Sequence, residues 1–148
     1  YWKDVPYGNG GSVVAIARDK SGKEVARHRI ETAGKAVALR IEAETPTDWK
    51  ADGMDLQYIN VTVIDKKGRP VWDYNEPLTL QMEGAARLVA LDNGDHYTDE
   101  LFHGITSKRM YQGRMQIILR SDQEAGNVTV KISSAGLKGT LRLKTIKE

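Results

Sequence analysis

The chain has 148 residues, 22 Lys plus Arg against 20 Asp plus Glu, a formal net charge of +2, 40% hydrophobic residues and no Cys. That length suits one domain, or one domain and a fragment of another. The charge is too small and too interleaved for a nucleic-acid binder, no apolar run approaches the roughly 20 residues of a membrane span, and zero Cys excludes a disulfide framework and a thiolate metal site. Tyr1 opens the chain without Met, which marks it as a piece of a longer protein and leaves the compartment unread from this end.

Strand signals recur along the whole chain, separated by turn residues, at the spacing of a sandwich or barrel. In chain order they predict strands at 12–18, 24–31, 36–44, 55–65, 70–73, 78–83, 87–92, 114–121, 127–133 and 140–146. The clearest is 58–64, where Ile59, Val61 and Val63 alternate with Asn60, Thr62 and Ile64. That period of two packs one face and leaves the other mostly wet. Asp19 to Gly22, Asp65 to Gly68, Asp92 to Asp95 and Glu124 to Asn127 read as turns, because Asp and Asn bond their own backbone and Gly accepts φ > 0. No window keeps a 3.6 period with caps at both ends, so no helix is predicted, and 98–108 reads as an ordered loop.

A boundary falls near Gly34. Residues 1–34 read as an incomplete module and 35–148 as one sandwich of about seven to nine strands. Its expected core is Leu39, Ile41, Ile59, Val61, Val63, Leu80, Leu88, Ile117, Leu119, Val128, Val130 and Ile132. Val13, Ala15 and Ala17 alternate with Val14, Ile16 and Arg18, so the 12–18 strand is apolar on both faces near its middle and expects cover on both. That cover is expected from docking on the sandwich or from a homodimer through the N-terminal strands.

The candidate chemistry is sparse. Asp92, Asp95, Asp99 and Glu100 are close in sequence, and paired carboxylates cleave glycosides when held roughly 5–10 Å apart. However, Asp92-Asn93-Gly94-Asp95 is also the composition of a tight turn, and the structural reading is preferred. A Ca²⁺ site on Asp92, Asn93, Asp95 and Asp99 lacks the EF-hand spacing. His28, His96 and His103 show no zinc-ligand spacing. No Ser sits in a nucleophile elbow, and the glycines at 8–11 lack the Lys and helix of a phosphate loop. Catalytic residues, a metal and a cofactor are therefore not expected. Trp72 and Tyr74 stand two apart on an expected strand, hence on one face, and form the best platform for stacking a sugar ring. The alternative is that one ring plugs the end of the sandwich and the other lies on the surface.

Three motifs carry a family resemblance. They are the run from Ala51-Asp52-Gly53 through Tyr58, Val61 and Val63 to Gly68, then Asp92 to Asp95, then Gln112-Gly113-Arg114. Together they resemble the small C-terminal immunoglobulin-like domain of family 2 glycoside hydrolases of the β-galactosidase type. Upstream, Trp2 to Tyr7, Gly11 to Ala15, Gly22 to Ala26 and Thr32-Ala33-Gly34 resemble the closing strands of the immunoglobulin-like module that precedes it. Adhesin repeats share the first motif. The resemblance implies an all-β accessory domain that packs on other domains of its enzyme, whose two catalytic Glu residues lie in a separate barrel. It also implies a periplasmic or secreted bacterial protein. A carbohydrate-binding module and an adhesin-type spacer repeat are the alternatives.

Overall fold

The computed structural model describes residues 10–147, so the motif segment at 2–7 lies outside the described residues. All regular structure among them is β-strand. Two strands, β1 (Ser12–Arg18) and β2 (Glu24–Glu31), pair antiparallel as a separate hairpin. The other eight are β3 (Ala38–Ala43), β4 (Leu56–Ile64), β5 (Pro77–Gly84), β6 (Ala86–Asp92), β7 (Ser107–Arg109), β8 (Arg114–Ser121), β9 (Asn127–Ser134) and β10 (Leu137–Lys144). They form two antiparallel four-stranded sheets, ordered β3-β4-β8-β6 and β10-β9-β5-β7. This is an all-β sandwich, one of the two architectures that the strand spacing allows, and it is immunoglobulin-like as the family resemblance implies.

The two sheets bury their period-two faces against each other. Ile59, Val61 and Val63 of β4 and Met115, Ile117 and Leu119 of β8 face Leu78 and Leu80 of β5 and Val128, Val130 and Ile132 of β9. All ten are buried. Trp49 plugs the β3–β4 connection, its indole Nε1 donating to the Asp55 carbonyl at 3.1 Å. Beside it the buried Gln57 amide is satisfied by the Thr45 backbone, accepting from its N–H at 3.1 Å and donating to its carbonyl at 2.7 Å. A buried amide left unpaired would cost about 1–3 kcal/mol, so this pairing makes Gln57 compatible with the core.

The structure corrects four expectations. Residues 70–73 are not a strand: Pro70 makes only an isolated bridge to Ile64, and the chain then turns through Trp72 and Asp73. Proline cannot donate to a ladder, and only Val71 follows it before the turn at Trp72. A short strand, β7, instead closes the 98–108 loop and pairs with β5. Leu39, Ile41 and Leu88 are half-buried rather than central. Leu91 takes the place of Leu88, because a register shift between Leu88 and Ala90 leaves one extra residue on β6 and reverses which side chains face in.

Gly84 shows how tightly β5 turns into β6. Its φ is +111°, and a Cβ there would stand 1.9 Å from the Asn127 carbonyl oxygen. The hairpin is the opposite case. Every residue of β1 and β2 is exposed except Val14, Ala15 and Glu31, which are half-buried. It is not covered by the sandwich.

Candidate functional site

The end of β4, the start of β5, the end of β6 and the start of β8 meet at one end of the sandwich, where the hairpin also joins. The joint is ionic. Asp65 directly follows β4 and is buried. It accepts from the Gly34 backbone N–H at 2.8 Å, from Lys67 and Arg69 N–H at 2.8 and 2.9 Å, and from Arg69 Nε at 2.8 Å. The Arg69 hydrogen bond, then the Gly34 one, holds its carboxyl far below the usual carboxylate range. Arg69 Nη1 reaches on to Glu31 of β2 at 2.6 Å, and Lys67 Nζ reaches the same oxygen at 3.2 Å. Those cations, Lys67 foremost, lower the Glu31 carboxyl as well. One arginine therefore bridges a carboxylate of the hairpin and a carboxylate of the sandwich.

The two rings of the expected sugar platform lie at this end, each in its own surroundings. Trp72 is 47% exposed and carries the Arg114 guanidinium 4.3 Å from its ring centre. Tyr74 packs inward against the core, and its hydroxyl donates to the Ser134 carbonyl at 3.1 Å and lies 2.8 Å from Ser134 Oγ. The two rings do not share a strand face, because this segment is a turn. One ring is structural and the other is a surface ring whose face is occupied by a cation.

Asp92 to Asp95 form a turn held by their own side chains. Asp92 Oδ1 accepts from Gly94 N–H at 2.8 Å, Asn93 Oδ1 from Asp95 N–H at 3.1 Å, and Asp95 Oδ1 from Tyr97 N–H at 3.0 Å. Gly94 sits at φ +73°. Asn93 is buried and its Nδ2 donates to the Arg109 carbonyl at 2.9 Å. These carboxylates are thus engaged with backbone. Among the described residues, no three His, Asp or Glu side chains converge as metal ligands.

Sequence reasoning passed over Lys108. Its side chain is fully buried, and Nζ donates to the Glu100 and Leu101 carbonyls at 3.1 Å each, 4.1 Å from the Phe102 ring centre. It pins the 93–106 loop from beneath, while Tyr97 at the loop's tip is 97% exposed. The one available signal was parity: in β7 the alternation Ser107, Lys108, Arg109 turns Lys108 inward.

A family model, glycoside hydrolase family 2 C-terminal domain 5, matches residues 39–141. The chain is 32% identical over 128 residues to the β-galactosidase BoGH2A of Bacteroides ovatus, covering 86% of this chain and 15% of that protein. It is 31% identical over 111 residues to a β-glucuronidase of Formosa agariphila, covering 73% of this chain and 11% of that protein. Among solved structures, a glycosyl hydrolase family 2 member from Bacteroides cellulosilyticus superposes with a TM-score of 0.86 at 28% identity, over 97% of this chain and 18% of that one. The chain spans about one seventh of the length of the first of these curated relatives.

Proposed function

This chain belongs to the glycoside hydrolase family 2 C-terminal domain 5 family, and we propose on that premise that the enzyme it serves is a β-galactosidase. The chain is a non-catalytic C-terminal accessory domain of a family 2 glycosidase. The observation that carries the β-galactosidase assignment is the match to BoGH2A over 86% of this chain, against 73% for the β-glucuronidase. The catalytic carboxylates lie in another domain of that enzyme. This domain packs on the rest of the polypeptide through its joint end, where residues 1–34 complete a preceding immunoglobulin-like module and the apolar hairpin face is covered by that module's other strands. The pairing Val13–Ile30, Ala15–His28 and Ala17–Ala26 puts a largely apolar strip on one face of the hairpin, and such a strip needs a partner surface.

The test is an assay of the full-length enzyme carrying this chain on nitrophenyl β-galactoside and β-glucuronide. Preferential turnover of the galactoside is expected, and preferential turnover of the glucuronide would reverse the assignment. The chain alone should turn over neither. Activity of the isolated chain that disappears on Asp95→Ala or Asp99→Ala would overturn the accessory role.

A further inference from the structure

We propose that a cleft at the opposite end of the sandwich, away from the hairpin joint, is a binding site for a carboxylate group. The cleft holds about 560 Å³ and opens to solvent between the start of β6 and the end of β8, lined by Gly53, Ala85, Arg87, Arg120, Asp122, Gln123 and Glu124.

The register of the sheet creates the site. Arg87 stands directly opposite Arg120 on the β6–β8 ladder, and Leu56 of β4 stands opposite Arg120 on its other side. Like charges directly across a ladder repel, and neither guanidinium can shed its proton. The structure treats the two differently. Arg87 donates through Nε and Nη2 to Asp122 Oδ1, at 3.2 and 2.9 Å. Arg120 enters no ion pair among the described residues, and its Nε is buried without a hydrogen-bond partner. Leu56 offers it no acceptor. A buried cationic donor left without a partner is costly; Arg120 also lines the cleft, and the cleft is where an acceptor can reach the rest of its guanidinium.

The lining selects among anions. The Arg87–Asp122 pair is internally compensated, so one guanidinium remains, facing a cleft that Glu124 also lines. A dianion such as phosphate would face two lining carboxylates, Asp122 and Glu124, with one uncompensated cation to offset them. A monoanionic carboxylate matches the single charge and the planar fork of the guanidinium. Glu124 is then the intramolecular competitor for the same cation. The carboxylate can come from a free sugar acid or from an Asp or Glu side chain of a neighbouring protein surface. This site lies outside the surface assigned to the enzyme's other domains above, so its test is independent of that assignment.

The experiment is an amide and arginine-Nε NMR titration of the 148-residue chain with sodium acetate, sodium glucuronate and glucose, with ionic strength held constant by chloride. Saturable shifts at Gly53, Ala85, Gln123 and the Arg120 Nε–H are expected with both carboxylates and none with glucose, at a Kd in the millimolar range. Arg120→Gln should weaken binding at least about tenfold, and Glu124→Gln should strengthen it severalfold. Arg120→Lys, which keeps the charge and loses the fork, should also weaken it, and serves if the Gln variant does not fold. Equal affinities for acetate and glucuronate assign the site to a protein side chain; glucuronate tighter by about tenfold assigns it to a sugar acid. Absence of saturation at these amides, or binding unchanged in both Arg120 variants, would overturn the proposal.

Discussion

The β1–β2 hairpin and the β4–β8 pair are both antiparallel ladders with seven registered pairs. In the hairpin nearly every side chain is exposed. In β4 and β8 every second side chain is buried. The backbone hydrogen bonding is of the same kind, so the difference lies in what covers the faces. An isolated two-stranded hairpin is marginal in water. What makes β4–β8 a core is a second sheet packed on it, since burial of apolar area supplies most of the stabilisation. The hairpin has the strand chemistry and lacks the second layer, and the Glu31–Arg69–Asp65 bridge is what ties it to the sandwich.

The largest test of this contrast is a matched pair of truncations. Ile117→Ala, in the middle of β8 and fully buried, should cost roughly 2–5 kcal/mol. Ile16→Ala, on the exposed hairpin, should cost under about 0.5 kcal/mol. Thermal or urea unfolding of both variants checks the ratio, and comparable losses would mean that the hairpin shares the core. Next in size is Gly94→Val. No atom lies within 4 Å of a Cβ at that position, so its expected cost of roughly 1–3 kcal/mol is torsional alone. An unchanged melting temperature would show that the turn tolerates a side chain.

The joint should be sensitive to acid. Asp65 and Glu31 both titrate below their ordinary values in the folded chain, 3.8 and 4.5. Groups depressed on folding stabilise above the unfolded pKa, and that contribution is lost as pH falls through the folded one. The melting temperature should therefore be flat near neutrality and decline once pH drops below about 4.5. Asp65→Asn should melt lower at pH 7 and show a shallower acid decline; parallel pH profiles for the two proteins would remove Asp65 from the joint. The smallest effect is expected from deleting residues 1–34. Circular dichroism should show an intact β-sandwich melting close to the parent chain. Loss of the fold would place the boundary elsewhere. If sedimentation of the full chain shows a dimer that the truncation abolishes, a second copy can cover the hairpin face.

The parts of the fold legible in the sequence were those where period two and burial coincide. Ile59, Val61 and Val63 alternate with polar or half-exposed neighbours, as do Val128, Val130 and Ile132, and each set lands in the core. What the sequence hid were features with no period. Trp49 is buried from a connection rather than a strand, and β7 is three residues long. The extra residue in β6 breaks parity, so alternation read from Leu88 runs onto the wrong side chain by Leu91. Trp72 and Tyr74 failed the same-face argument for a related reason: it holds only on a strand, and Pro70 starts a turn. The joint and the Arg120 cleft depend on residues brought together from distant strands, a juxtaposition fixed by register rather than by any local pattern.

The extra residue in β6 has a second effect. This strand is the outer edge of its sheet, where unpaired N–H and C=O groups invite another chain to add on. A bulge sharpens the local twist and leaves one residue out of step with any incoming partner. Val89 is that residue, and it is exposed. A straight β6 would offer a template that copies of the molecule could extend side by side. The irregularity that hid Leu91 from the sequence pattern thus also discourages fibre growth from an edge strand.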